Sequence, residues 1–324
     1  GVGFADDKEV WYLETGTGHQ WMAQRTPAEV YFASGNQGRL RFFDPKDDTM
    51  MGSPTLISFA EEHGFYDPKS GKFDFAAAYT RNDDRDRIYN DPRVWVMQKI
   101  LNPSLEQKVA DGRNFDVYLK PEQPVTLQNL KDIMRNHFEG YAHDPYSFGL
   151  NGSEPWRPIS VFRTYEAHIL QVRPWMPREI GDVIYVAFGM ACLSCFMPFY
   201  QGLDQVPAAF GEGTDHADDK SIYWKFRKLQ TLVMTDFPTL APIVQKKFAE
   251  HEAAMSEKQS AMEKEYTSLY ATDKQAAHDL LQKFNLEVFG ETEEVIDGLM
   301  NELFTVLTTK IEKENFFANK KMKD

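Results

Sequence analysis

With 324 residues, 42% of them hydrophobic and 14% aromatic, the chain has ample material for a packed core, and its length fits either one large domain or two modest ones. A formal net charge of −13 argues against nucleic acid or an anionic membrane surface as a partner, because both demand a cationic footprint. No run of about 18 apolar residues occurs, so no membrane-spanning helix is expected, and two cysteines are too few for a disulfide scaffold.

The first predicted elements are strands. GVGFADDKEVWYLE enters strand-like sequence within a few residues, and residues 9–14 and 20–24 read as a hairpin of the longer, Gly-containing kind around Thr15-Gly16-Thr17-Gly18. Residues 30–33 extend the meander, and Ser34-Gly35-Asn36-Gln37-Gly38 breaks it. Two glycines at a strand exit let the backbone approach a ligand and leave the Asn36 amide projecting, although Asn is also a common turn residue. His19, between the Gly18 turn and Trp21, reads on its own as a structural hairpin histidine.

Residues 44–92 are polar and Asp-rich, with one helix predicted near 53–63. Asn82-Asp83-Asp84-Arg85-Asp86-Arg87 invites a calcium reading, but it lacks the Gly at the sixth place and the Glu at the twelfth of an EF-hand, and its arginines make it a self-neutralised solvated loop. A short amphipathic helix is predicted at 92–101, stopped before Pro103. Thr126 caps a helix over 127–137, with Leu130, Ile133, Met134 and Phe138 on one face. Residues 140–152 form a loop rich in Gly, Asp and Tyr, of the kind that becomes a pocket wall. His137 and His143 stand too far from other ligand types to suggest a metal site.

The richest stretch is 154–200. Ile159-Ser160-Val161-Phe162, 168–172 and 183–188 read as consecutive antiparallel strands of a central sheet, the third apolar enough to be covered on both faces. Arg163, Glu166 and His168 fall among residues fit for a core, where an ionisable group must be paired or serve a purpose. Glu166 and His168, two apart on a strand, share one side and can orient each other. Arg157 and Arg163 are cations able to meet a carboxylate bidentately, or else to brace sheet edges against Glu154 or Glu166. Cys192 and Cys195 lack the helix N-terminus that a redox C-x-x-C uses, and read as small buried apolar residues.

From Asp218 onward the texture is helical. Ser221 caps a run with Trp224, Leu229, Leu232 and Val233 that ends near Phe237-Pro238. A charged helix follows over 242–270, another over 273–289, and a last one over 293–316 with Val295, Leu299, Leu303, Val306 and Leu307 at helical spacing. The Lys-rich end, 319–324, should fray. The chain thus reads as α+β, with a sheet-rich part over 1–217 and a helical part over 218–324 packed on the same domain.

RPISVFRTYEAHILQ, followed by MPFYQGLD, resembles the strings RPI-x-x-x-R-T-x-E-x-H-I-L-Q and P-F-Y of the C69 family of dipeptidases. VGFADDKEVWYLETGTGHQWMAQRTP resembles the family's F-x-D-x-x-x-x-W-Y-L-E-T-x-x-G-H-x-W-x-A-x-R-x-P, RIYNDPRVWVMQKILNP its Y-N-x-P-R-x-W, and HFEGYAHDPYSFG its H-Y-x-G-x-x-x-D-P-Y-G. These segments run in order from Gly1 to about Gly202. The resemblance implies the αββα sandwich of N-terminal-nucleophile hydrolases and a cysteine-type dipeptidase. In that family a Cys exposed by processing attacks the peptide carbonyl, with its own α-amine as base. That Cys is expected in a preceding segment of the same polypeptide, so these 324 residues alone are expected to be inactive.

VYFASGNQGRL resembles the family's Y-x-x-x-P-N or Y-x-x-x-x-N, which implies an oxyanion-hole role for Asn36. Arg163 matches an arginine that related hydrolases carry near the nucleophile, and His19, by its place in G-H-Q-W, joins Arg157, Glu166 and His168 as substrate-binding candidates. The chemistry needs no metal or organic cofactor. The implied partner is a dipeptide; self-association is left open, and so is the compartment, cytoplasmic or, with a leader ahead of residue 1, secreted. The rival readings are an amide hydrolase of the same superfamily acting on acyl-amides or bile salts, and a non-catalytic fragment or interaction protein.

Overall fold

The computed structural model describes residues 1–81, 83–147 and 153–321, with side chains as far as 314. Asn82 of the Asp-rich loop, the 148–152 part of the predicted pocket-wall loop and the last three residues of the predicted frayed end lie outside the described residues. The described chain divides into two compact units, one of residues 1–145 and 153–159, the other of 146, 147 and 160–321. That division precedes the change of texture at Asp218.

The first unit contains a four-stranded antiparallel sheet. β1 (Val2–Ala5) pairs with β2 (Val10–Thr15), and β2 pairs with β3 (Trp21–Arg25) in a register that sets Leu13 opposite Ala23. The β2–β3 connection turns at Gly18, whose φ of 65° suits glycine and whose Cα faces the Phe59 ring so closely that a Cβ would lie 2.2 Å from it. The meander stops there. β4 (Tyr31–Phe32) pairs instead with a later strand, and β5 (Met50–Gly52) takes the free edge of β3. Pro27 explains the departure: it has no N–H for a ladder, and Glu29 with φ 62° turns the chain away.

Helices α1 (Leu56–Glu62), α2 (Phe75–Tyr79), α3 (Asp86–Tyr89) and α4 (Asp91–Leu101) follow. The short α2 and α3 were not expected; α2 is fixed locally by Asp74, whose carboxylate accepts from the Ala77 N–H at 3.1 Å. β6 (Tyr118–Leu119) is the partner of β4. α5 (Leu127–Arg135) begins at a reciprocal cap in which Thr126 Oγ1 accepts from the Asn129 N–H at 3.1 Å and Asn129 Oδ1 from the Thr126 N–H at 2.9 Å. It ends two residues early, because Asn136 turns to an extended ψ of 131°. Met22, Leu40, Leu56, Ala60, Phe73 and Phe75 form the main core, and Ala33, Val94 and Phe115 a second.

The second unit holds a three-stranded antiparallel sheet, β7 (Glu166–Val172), β8 (Asp182–Phe188) and β9 (Met197–Tyr200), with β8 central and α6 (Arg178–Gly181) inside the first connection. The expected strand over Ile159–Phe162 does not form. The Tyr146 hydroxyl donates to the Ser160 carbonyl and accepts from the Phe162 N–H, each at 3.1 Å, and the Arg227 guanidinium donates to the Phe162 and Thr164 carbonyls, so side chains take the bonds a ladder would use. Nor is β8 covered on both faces: Val183, Tyr185 and Ala187 are buried while Asp182 and Ile184 are exposed.

Arg163, Glu166 and His168 are likewise exposed rather than core residues. Arg163 lies in a turn ahead of β7, and β7 is an edge strand whose even-numbered positions 166, 168 and 170 face solvent. The buried charge of this stretch is Arg173. Its Nη1 donates to both Glu263 oxygens at 2.9 Å, Glu263 also accepts from the Tyr200 hydroxyl at 2.6 Å, and Gln259 Nε2 donates to the Tyr185 and Tyr200 hydroxyls at 3.0 and 2.8 Å.

Those partners belong to the helices, α7 (Ala208–Gly211), α8 (Ile222–Val233), α9 (Phe237–Tyr270) and α10 (Lys274–Lys321). α9 starts five residues before Pro242, which costs a single intrahelical bond near its end. The two helices predicted over 273–316 are one. Thr292, buried, bonds back to the Val288 carbonyl at 2.8 Å and meets His251 Nε2 of α9 at 2.8 Å, so packing carries the helix through Gly290. The helix continues to Lys321, into the segment expected to fray. Cys192 and Cys195 are buried and not joined in a disulfide. Among the described residues no helix is long and apolar enough to cross a membrane.

Candidate active site

A cleft of about 670 Å³ opens in the first unit beside the Asn36 loop, within the size range of small-molecule sites. β2 supplies Tyr12 and Glu14, which alternation places on one face of the strand. The 82–87 segment, read from sequence as a self-neutralised solvated loop, supplies Asp83, Arg85 and Asp86, Arg81 lies just ahead of it, and Arg157 closes the wall near Tyr89, its guanidinium 5.8 Å from the ring centroid. Three arginines and three carboxylates (Glu14, Asp83, Asp86) therefore line one concavity.

The Asn36 loop is held by α3 and α4. Asn90, the residue between them, accepts from the Asn36 backbone N–H at 2.9 Å, and its neighbour Asp91 accepts from Gln37 Nε2 at 3.0 Å. Gly35 lies against Asn90, where a Cβ would come within 3.1 Å, and a Cβ at Gly38 would come within 2.2 Å of Thr80 Cγ2. At Gly38 a side chain would force Thr80 aside, and at Gly35 it would crowd Asn90. Glu14, 4% exposed, accepts from the Arg39 N–H at 2.8 and 3.0 Å and from the Leu40 N–H at 3.1 Å, which ties the far end of the loop to β2. Burial pushes the Glu14 carboxyl above its ordinary pKa although those amides pull it down, and burial also pushes the Tyr12 hydroxyl up. The backbone is fixed while the Asn36 side chain is exposed and, among the described residues, makes no hydrogen bond.

Of the residues singled out by sequence, Asn36 and Arg157 line this cleft. His19 does not: it stands at φ 61° on the β2–β3 turn and borders a separate shallow hollow with Leu13 and Trp21. Arg163 is exposed on its turn and, among the described residues, meets no carboxylate and no hydrogen-bond partner. Glu166 and His168 do engage each other, His168 Nδ1 lying 3.0 and 3.1 Å from the carboxylate oxygens, on the second unit's edge strand. Among the described residues Glu154 pairs with Arg87 at 3.7 Å. His137 is buried against Asp144 and Glu139 at 2.9 and 3.2 Å, contacts that secure the turn after α5. Among the described residues no group of three acidic, His or Cys side chains could hold a metal.

Residue-by-residue reading missed Glu14, Asn90, Arg81 and Arg85. Two of them lie inside segments already quoted for the resemblance, Glu14 in WYLET and Asn90 in YNDPR.

The sequence model of Peptidase family C69 matches residues 1–250. The chain is 54% identical to a "Probable dipeptidase" of Salmonella dublin over 63% of its own length and 47% of the relative's. It is 30% identical to a "Dipeptidase" of Bifidobacterium longum (strain NCC 2705) over 86% and 53%, and 28% identical to "Probable dipeptidase A" of Streptococcus pyogenes serotype M3 (strain SSI-1) over 96% and 67%. The chain spans about half to two thirds of the length of these relatives.

Proposed function

The chain belongs to Peptidase family C69, and on that footing we propose that it supplies the substrate cleft and the oxyanion donor of a cysteine-type dipeptidase. The observation that carries this reading is the cleft itself, where a fixed loop presents a free Asn36 amide among three arginines and three carboxylates. A dipeptide is a zwitterion with its two charges only a few bonds apart. A wall of both signs meets both ends, and a guanidinium meets the carboxylate bidentately. Arg157 is the substrate-facing cation in this reading, and Asn36 donates to the oxyanion of the tetrahedral intermediate.

The attacking thiol is assigned, through the resemblance, to a processed N-terminal Cys outside the 324 residues. Its thiolate adds to the carbonyl, the collapsing intermediate expels the amine of the second residue, and water releases the first residue from the thioester. Arg163 is kept as the residue that orients the nucleophile or meets substrate, with Glu166 and His168 as a mutually oriented pair beside it in sequence, and His19 as a peripheral substrate contact. The antiparallel sheets and long helices support the αββα arrangement that the resemblance implies.

The test is a substrate panel on the full-length, processed protein. Free dipeptides should be hydrolysed, N-acetylated or C-amidated ones much more slowly, and acyl-amides or bile-salt amides not at all. Turnover of acyl-amides without dipeptides would replace this reading by the other amide hydrolase. Turnover by the 324-residue chain alone would refute the external nucleophile.

A further inference from the structure

A second cavity of about 280 Å³ shares Gln37 and Gly38 with the cleft. Its wall carries Arg39, Arg41 and Arg113, no carboxylate, and an apolar side that includes Ala76 and Phe115. Arg41 is neutralised by Asp74 at 2.6 Å. Arg39 is not. It is 4% exposed, its Nη2 donates only to the Phe115 and Asp116 carbonyls at 3.1 and 2.7 Å, and its Nε is buried without a partner.

Among the described residues no carboxylate pairs with the Arg39 guanidinium, because the acids around it are engaged elsewhere: Glu14 takes the backbone N–H of Arg39 itself, and Asp91 takes Gln37 Nε2. Glu14, Asp91 and Asp116 act on that guanidinium only through space, and burying it with hydrogen bonds to carbonyls alone and Nε unpartnered is costly. An anion in the cavity would offset it. The space admits a group of a few heavy atoms, and its apolar side suits a short aliphatic part better than a fully ionised tetrahedral anion.

We propose that this cavity is a second binding site, taking a small carboxylate whose oxygens meet Arg39 and Arg113 while its aliphatic part rests against Ala76 and Phe115. The site goes beyond the dipeptidase reading and stands without it. Its occupant borders Gln37 and Gly38, which also line the cleft, so binding there stiffens the loop that presents Asn36.

Thermal unfolding of the chain in rising sodium acetate, against sodium chloride at equal ionic strength, tests it. The expected result is a saturating rise in Tm of about 2 °C or more with acetate alone, absent in Arg113→Ala. Saturation transfer to the acetate methyl in the unaltered chain reads the same contact without any variant. Equal shifts with acetate and chloride, no saturation transfer, an undiminished shift in folded Arg113→Ala, or a larger shift with phosphate than with acetate would each overturn the assignment. None of these readouts involves turnover, so failure of the dipeptidase reading leaves the result intact.

Discussion

The loop that carries Asn36 is held from several elements at once, whereas among the described residues the strand that carries Glu166 and His168 is paired on one side. Asn90, Asp91 and Glu14 bind three successive parts of the loop and leave the Asn36 amide unspent. Among the described residues β7 pairs with β8 alone, and its two polar side chains satisfy each other on an exposed face. Deeper in the same sheet most polar groups bond one another, Arg173 Nη1, Glu263, Gln259 and two tyrosines forming one network that leaves Arg173 Nε without a partner. Pre-organised backbone with a free side chain is what a transition-state donor requires. Polar groups spent on one another instead mark joints between sheet and helix.

The largest effect expected from that contrast is at the joint. Arg173→Ala would strand the buried Glu263 charge and should cost about 3 to 5 kcal/mol of unfolding free energy by urea titration, and Arg173→Met with Glu263→Leu should recover most of it. Next comes the loop. Asn36→Ala should lower kcat of the full-length protein by about 10²- to 10³-fold while leaving its denaturation midpoint in place, and a matching loss of stability would make Asn36 a structural turn residue instead. Asn90→Ala removes the loop's support rather than the donor, so it should cost about 1 to 3 kcal/mol of stability and lower kcat less than Asn36→Ala does.

The helices of the second unit should show pH effects of opposite sign. Hydrogen bonds to Asp204 and Glu179, at 2.8 and 3.2 Å, raise the His278 pKa above 6.5. The folded state therefore binds that proton more tightly, and its contribution is full below about 6.5 and lost as pH rises through the raised value. Burial pushes His251 below 6.5, so its contribution is present above 6.5 and lost as pH falls toward the folded value. Denaturation across mildly acidic to mildly alkaline buffers should show the alkaline loss flattened in His278→Gln and the acidic loss flattened in His251→Gln. The smallest effect is on the exposed strand, where Glu166→Gln should change stability by no more than about 0.5 kcal/mol.

Local grammar was legible wherever a short stretch sets its own geometry. The β2–β3 hairpin, the Thr126 cap, the end of α4 before Pro103 and the buried cysteines follow from turn residues, capping side chains and composition. The side-by-side placing of Glu166 and His168 follows from strand alternation alone. Long-range choices were not legible. β4 turned to β6, α10 ran through Gly290, and Ile159–Phe162 gave its backbone bonds to Tyr146 and Arg227.

By itself the sequence determined the family, through motifs in order along the chain, and with it the chemistry to look for. Only the tertiary structure decided which marked residues share a cleft, because that depends on contacts such as Asn36 with Asn90, 54 positions apart, that no local pattern encodes. It also decided which ionisable groups are buried: alternation puts residues on one face of a strand, but the neighbouring elements determine whether that face meets a core or water.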